Sequence, residues 1–144
     1  MILLTRRATF SASHYYWNEA WSAEKNEQVF GRCSNRSGHG HNYTLEVTVA
    51  GEPDPVTGFV VDLKWLKDAI EQEVLAAYDH RHLNLEAPEF QTTNPTTENL
   101  VIAAWRRLEP AIVRANEAAA GSVQLRRIRI YETPEIVAEV RGEP

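Results

Sequence analysis

The sequence predicts an α+β fold: a mainly antiparallel sheet carrying two helices on one face. Three observations predict it. Apolar residues alternate with polar ones near both ends of the chain. They recur at three- and four-residue spacing through the middle. The segments follow the order strand, strand, short strand, helix, helix and a closing strand pair, which favours helices gathered on one side of a sheet. With 144 residues and no repeat, linker or low-complexity stretch, residues 1–144 read as a single domain.

Residues 2–14 form the first predicted strand. Leu4, Ala8, Phe10, Ala12 and His14 share one parity and alternate with Thr5, Arg7, Thr9 and Ser11. Arg6 interrupts the apolar face, which suits a sheet edge. Residues 15–38 show no sustained period and read as a long irregular excursion, a feature that tends to carry function. The second strand, at about 41–50, sets Tyr43, Leu45, Val47 and Val49 against Thr44, Glu46 and Thr48. Residues 51–58 are dense in turn formers and lead into Phe59-Val60-Val61, the expected return strand of a hairpin.

Asp62 stands where it can cap a helix over 63–78, with Leu63, Leu66, Ile70, Val74 and Ala77 as its apolar stripe. After the polar connection Asp79-His80-Arg81-His82, a second helix starts near residues 95–98. Leu100, Val101, Ala104, Trp105 and Leu108 lie along one side of it, and Pro110 should kink or interrupt it. Residues 123–132 and 135–141 make the final strand pair. Val123 and Leu125 have one parity, Ile128 and Ile130 the other, so the switch at Arg126-Arg127 marks a β-bulge or a frayed edge.

Composition narrows the function classes. A chain that is 43% hydrophobic and 24% charged has the balance of a globular protein, not of a disordered one. A net charge of -5 argues against a nucleic-acid partner, while Arg126, Arg127 and Arg129 leave a local cationic cluster for a small anion. Cys33 is the single cysteine, so no internal disulfide forms, as expected in a reducing compartment. The first residues put a short apolar run before the basic ones, the reverse of a secretory signal. No apolar run approaches the roughly 20 residues of a membrane helix. The expected location is cytoplasmic, with no membrane partner.

Several residues could carry chemistry. In a strand, His39 and His41 of His39-Gly40-His41 face the same way. His14 ends the first strand on its apolar parity and can meet them. Three neutral imidazoles suit Zn2+ and leave a fourth position open, whereas a surface turn with two histidines is the plainer reading. Cys33 is either a small buried hydrophobe or a reactive thiol. Its polar neighbours Gly31, Arg32, Ser34, Asn35, Arg36 and Ser37 favour the second reading, and nearby cations would stabilise a thiolate. Asp79-His80 can be an oriented proton relay or a solvated cap; His82 has no assignable role. Glu98 after Thr96 and Thr97 complements a helix dipole. Glu132 at a strand end is a solvated acid or, if buried, a pair of acceptors for a guanidine-like heterocycle edge.

Taken together, several segments resemble the 6-pyruvoyl-tetrahydropterin synthase family, which includes the 6-carboxytetrahydropterin synthases. They are residues 10–14, 30–33, 38–43, 54–58, 79–80, 96–99 and 131–133, and they span nearly the whole chain. The resemblance implies the tunnelling fold, in which subunit sheets join into a barrel, and a hexamer built as a dimer of trimers. It implies a zinc-dependent lyase acting on 7,8-dihydroneopterin triphosphate. By the same resemblance His14, His39 and His41 hold the metal, Cys33 is the catalytic base and Asp79 and His80 are the relay. Glu132 grips the pterin and joins the relay, and Thr96, Thr97 and Glu98 contact the pterin, often across a subunit boundary.

Family members that form the carboxy product in the queuosine pathway, with release of acetaldehyde, typically have three residues between the cysteine and the His-Gly-His. Here there are five, Ser34 to Gly38, which favours the pyruvoyl product. Arg32, Arg36, Lys64 and Arg81 are the candidate phosphate contacts. Readings of another class are a zinc module without catalysis and a Cys-His-Asp hydrolase.

Overall fold

The alternating segments on either side of the excursion become two long strands that pair from end to end. The computed structural model describes residues 1–119 and 121–142. In it β1 (Ile2–His14) runs antiparallel to β2 (His39–Gly51), with Ile2 opposite Gly51 and His14 opposite His39. The far side of β2 is taken by β4 (Gln124–Thr133), and β5 (Ile136–Arg141) lies outside that. A two-residue strand, β3 (Arg81–His82), runs parallel to β1 at Ala12 and Ser13, giving the order β3-β1-β2-β4-β5.

One face of the sheet is apolar because each strand contributes one parity to it. Phe10, Ala12, Tyr43, Leu45, Val47, Val49, Leu125, Ile128 and Ile130 are buried there under two helices. The opposite face is polar, with Thr5 bonded to Thr48 at 2.8 Å and Arg7 paired to Glu46 at 2.6 Å.

The first long helix, α2, runs over residues 63–78; Leu63–Ile70 is α-helical, Glu71–Leu75 π-helical and Ala76–Tyr78 α-helical again. The Asp62 carboxylate caps it, accepting the N–H groups of Lys64 and Trp65 at 2.7 and 3.2 Å. Leu66, Ile70 and Val74 are buried, while Leu63 at the start of the stripe is about half exposed, at 49%. The other long helix, α4 (Thr97–Ala119), buries Leu100, Val101, Ala104, Leu108 and Ile112.

Four local expectations are corrected. Pro110 does not interrupt α4: it lies on the exposed side, while Leu108 and Ile112 on either side of it stay buried and hold the helix on the sheet. The excursion holds a helix, α1 (Ala23–Phe30), and a 3-10 turn (Gly31–Ser34). Only Val29 and Phe30 are large and apolar in α1, so it gives no amphipathic signal. It is anchored by Ser22 at its cap and by the buried Asn26 amide, which accepts from the Asn18 N–H at 2.7 Å and donates to the carbonyls of Asn18 and Ser22 at 3.0 Å. Leu83–Glu86, a short helix α3, also went unread. Finally, residues 59–61 do not form a return strand. Both sides of β2 are already paired, so after a turn closed by the Asp54 carboxylate the chain passes directly to the cap of α2.

The parity switch in β4 is a bulge. Thr48 faces Arg127 and Val49 faces Leu125, leaving Arg126 as the extra residue. A second irregularity lies at the other end: Tyr131 faces Val137 and Thr133 faces Ile136, leaving Glu132 unpaired against β5. No helix of the described residues is long and apolar enough to cross a membrane.

The helical layer is tied together by Arg107, whose Nε and Nη2 donate to the two Glu89 oxygens at 2.7 and 3.0 Å, with the Tyr78 hydroxyl donating to the same carboxylate. Burial pushes the Glu89 carboxyl up, but the bonds from Arg107 and Tyr78 outweigh it and bring it down to about 2. A carboxyl whose pKa folding lowers from 4.5 contributes fully above that pH and loses its contribution as the pH falls towards about 2. Glu89→Gln should cost about 2 kcal/mol at neutral pH. It should also flatten the stability loss between these two values in acid denaturation; parallel acid limbs for variant and parent would contradict this.

Candidate active site

The β1–β2 register brings three imidazoles together. His14, the last residue of β1, lies opposite His39, the first of β2, and His41 follows two residues on, on the same face. One ligand atom from each lies within 4.8 Å of the others, and His14 Nε2 is 3.2 Å from His39 Nε2. His14 is fully buried. Its Nδ1 is 3.0 Å from the Pro95 carbonyl, which only accepts, so Nδ1 carries the proton and Nε2 presents a lone pair to the cluster. The Tyr43 hydroxyl is 3.2 Å from the same Nδ1.

Burial brings His14 down to about 4, helped by His39 and His41. Burial also lowers His41, against the pull of Glu132. Both rings are therefore neutral near pH 7, the form that binds metals. His41 Nε2 is buried without a hydrogen-bond partner. Tetrahedral nitrogen ligands about 2.0–2.1 Å from a metal lie about 3.3 Å from one another, close to the His14–His39 separation. The three histidines could thus hold a metal ion, and their donor set suits zinc.

Gly38, just before His39, is held at φ +80, and a Cβ there would meet His82 Nε2 at 3.0 Å and the His14 carbonyl at 3.2 Å. That close approach, with the left-handed backbone, requires glycine. His82 packs here beside the Tyr15 ring, at 5.6 Å between centroids.

Glu132 reaches the same face from its irregular position in β4. One oxygen accepts the Thr97 hydroxyl at 2.8 Å, and the other lies 3.6 Å from His41 Nε2. Thr97 is buried at the start of α4. The Thr96 hydroxyl accepts the Asn99 N–H at 3.2 Å and so caps that helix, while Glu98 is exposed in the first turn. Cys33 sits half-buried in the 3-10 turn, and its carbonyl accepts the Tyr16 N–H at 2.7 Å. Burial, then the charge of Glu132, pushes its thiol up. Arg36, one of the arginines expected to help, pairs with Glu19 at 2.7 Å and lies over Trp17 and Tyr15.

Asp79 and His80 form a pair, His80 Nδ1 lying 2.9 Å from Asp79 Oδ1, which also accepts the Ser11 N–H at 2.9 Å. His80 has a left-handed backbone, φ 58, and its side chain is 83% exposed. It borders a cleft of about 340 Å³ that the side chains of Ser11, Ser13 and Asn42 enter and that His41 and His82 also line. The Ser11, Ser13 and Asn42 side chains leave the strands on the side opposite His14, His39 and His41. The structure therefore does not bring the pair into the histidine cluster of the same chain. Two further cations considered for phosphate are occupied, Lys64 by Asp68 at 2.6 Å and Arg81 by Glu86 at 3.1 Å. Arg129 pairs with Glu139 on the polar face.

Sequence reasoning missed Pro95, whose carbonyl fixes the His14 tautomer, and Tyr16 and Tyr43. The two tyrosines were within reach of a simple signal, because each stands two residues beyond a histidine.

A family model described as 6-pyruvoyl tetrahydropterin synthase matches residues 3–143. The chain belongs to that family. A 6-pyruvoyl tetrahydrobiopterin synthase of Homo sapiens is 36% identical over 140 residues, 97% of this chain and 91% of that one. The structure of the Caenorhabditis elegans 6-pyruvoyl tetrahydropterin synthase superposes with a TM-score of 0.86 at 36% identity, covering 99% of this chain and 96% of that one. A dihydroneopterin monophosphate aldolase of Pyrococcus furiosus is 34% identical over 134 residues, 93% of this chain and 92% of that one. The α+β fold is accordingly the tunnelling fold of the 6-pyruvoyl tetrahydropterin synthase family.

Replacing His39 by alanine should remove the metal, with content by elemental analysis falling to about a tenth or less of the parent. Cys33→Ala should keep it, because the thiol is not needed as a ligand. Full metal in the first variant, or loss in the second, would contradict the assignment.

Proposed function

We propose that this chain is a zinc-dependent carbon–oxygen lyase converting 7,8-dihydroneopterin triphosphate to 6-pyruvoyl-tetrahydropterin with loss of triphosphate. The observation that carries the reading is the cluster of His14, His39 and His41 with Glu132 at its rim, in a chain of the pterin synthase family. Zinc held by the three imidazoles would supply Lewis acidity to the oxygens of the substrate side chain.

The chain's own residues do the rest. Glu132 accepts N–H groups of the pterin edge, with Thr97 holding one oxygen in place and Thr96 and Glu98 nearby at the start of α4. Those N–H donors offset the Glu132 charge that opposes ionisation of Cys33, so a bound pterin favours the thiolate. Cys33 then removes a proton from the substrate side chain. Asp79 holds the His80 imidazole, and His80 returns a proton at the other end of the rearrangement.

His80 borders the side chains of Ser11 and Ser13, which leave β1 on the side opposite His14, and this supports a relay contributed by another copy of the chain. We infer a homo-oligomer, a hexamer of two trimers whose sheets join into barrels. Residues 2–10 of β1 have no strand partner on the side away from β2, and β5 has none beyond β4, among the described residues. Ile2, Leu3, Ile136 and Val137 are exposed on those edges. A lone cysteine without a disulfide fits a cytoplasmic enzyme. The five residues between Cys33 and His39 support the pyruvoyl over the 6-carboxy product of the queuosine branch.

The test is to incubate zinc-loaded protein with dihydroneopterin triphosphate and identify the products by mass. We expect 6-pyruvoyl-tetrahydropterin and triphosphate; an aldehyde fragment released by cleavage of the side chain would contradict the reading. In the same assay, mixing inactive Cys33→Ala and His80→Ala proteins should restore about a quarter of the activity if the site spans two copies. No recovery in proven mixed oligomers would place the relay within one chain.

A further inference from the structure

We propose that Asn94 is a positioning residue that sets the Cys33 thiol relative to the histidine cluster, an inference resting on the reading of Cys33 as the base. Residues 15–18, just past β1, belong to no strand, yet each of their four N–H groups has a partner. The Tyr15 and Trp17 N–H groups donate to the side-chain oxygens of Asn84 and Asn94, both at 2.9 Å. The Tyr16 N–H donates to the Cys33 carbonyl at 2.7 Å, and the Asn18 N–H to the Asn26 side chain at 2.7 Å. One pair of N–H groups thus ties this segment to the excursion. The other pair ties it to α3 and the connection that follows.

Asn94 is where the thiol end and the metal end of the site meet. Its side-chain oxygen holds Trp17, the neighbour of the residue that holds Cys33. The carbonyl of the next residue, Pro95, holds His14 Nδ1 at 3.0 Å. The Asn94 carbonyl itself accepts the Thr96 N–H at 2.9 Å and the Asn99 side-chain amide at 2.8 Å. Those two bonds fix the turn through backbone atoms, so the His14 contact does not depend on the Asn94 side chain. The Trp17 anchor does, and through it the placement of Tyr16 against the Cys33 turn. A base works only within hydrogen-bond reach of the proton it takes, and a shift of about 1 Å costs up to about a hundredfold in rate. Only the oxygen of the Asn94 amide accepts a hydrogen bond, so that one atom carries the role.

Asn94→Ala removes the acceptor, and Asn94→Asp keeps an oxygen at the same reach. In Asn94→Ala zinc content should stay at the parent value. Its kcat for dihydroneopterin triphosphate should fall about tenfold or more, with KM little changed. Cys33 is the single cysteine, so iodoacetamide reads its turn directly. Alkylation of the zinc-loaded variant should speed up about fivefold, as for one lost hydrogen bond. Asn94→Asp should return both kcat and the alkylation rate to near the parent values. Loss of zinc in Asn94→Ala, an unchanged kcat or alkylation rate, or an Asn94→Asp as impaired as Asn94→Ala would each overturn the proposal. Cys33→Ala tests the underlying reading separately: parent turnover there would remove Cys33 as the base, whereas the alkylation rates would still decide whether Asn94 holds its turn.

Discussion

The register of β1 against β2 is the constraint on which the site depends. His14 faces His39, and His41 shares their side because two residues along a strand make one full alternation. A slip of one residue would put every side chain of one strand on the wrong face, breaking the core and the histidine cluster together. The pairing runs the full length of both strands, and buried side chains from Phe10 and Tyr43 to Val47 and Val49 hold it. The core that stabilises the sheet also fixes the imidazoles, so the site needs no separate scaffold.

Electrostatics follow from that placement. Burial, with His39 and His41 close by, makes His14 reluctant to take a proton. Pro95 then selects which nitrogen of His14 is free. Glu132 enters from β4 at a point where the ladder with β5 is irregular, a common device for re-aiming a side chain at a site. Thr97 reaches the same carboxylate from α4. The chemistry is thus assembled where two strand ends, a strand irregularity and a helix start meet.

The core strands and both long helices were legible in the sequence because each carries a full amphipathic period. The change in parity at Arg126-Arg127 marked an irregularity, a bulge or a frayed edge, and the ladder makes it a bulge. Features built on polar or single-atom interactions were not legible. The eight residues of α1 have no apolar stripe, and Asn26, which pins it, reads as an ordinary polar residue. Residues 59–61 have strand composition, but pairing depends on a free neighbour, which no local pattern records. Pro110 breaks local propensity, and the packing of Leu108 and Ile112 overrides it. In the site, residue types and spacing left His39 and His41 between a metal pair and a surface turn, and it was the family resemblance that set His14 beside them; the structure groups the three. That Asp79 and His80 face away from them could not be seen, because it depends on which side of the sheet a two-residue strand attaches.

The most direct measurement of the central claim is X-ray absorption at the zinc edge of the zinc-loaded protein in solution. The account predicts a first shell of imidazole nitrogens, three of them from the protein, at about 2.0–2.1 Å, with no sulfur. A sulfur neighbour at about 2.3 Å would make Cys33 a ligand in a closed site, and the account of an open metal beside a free thiol would fall.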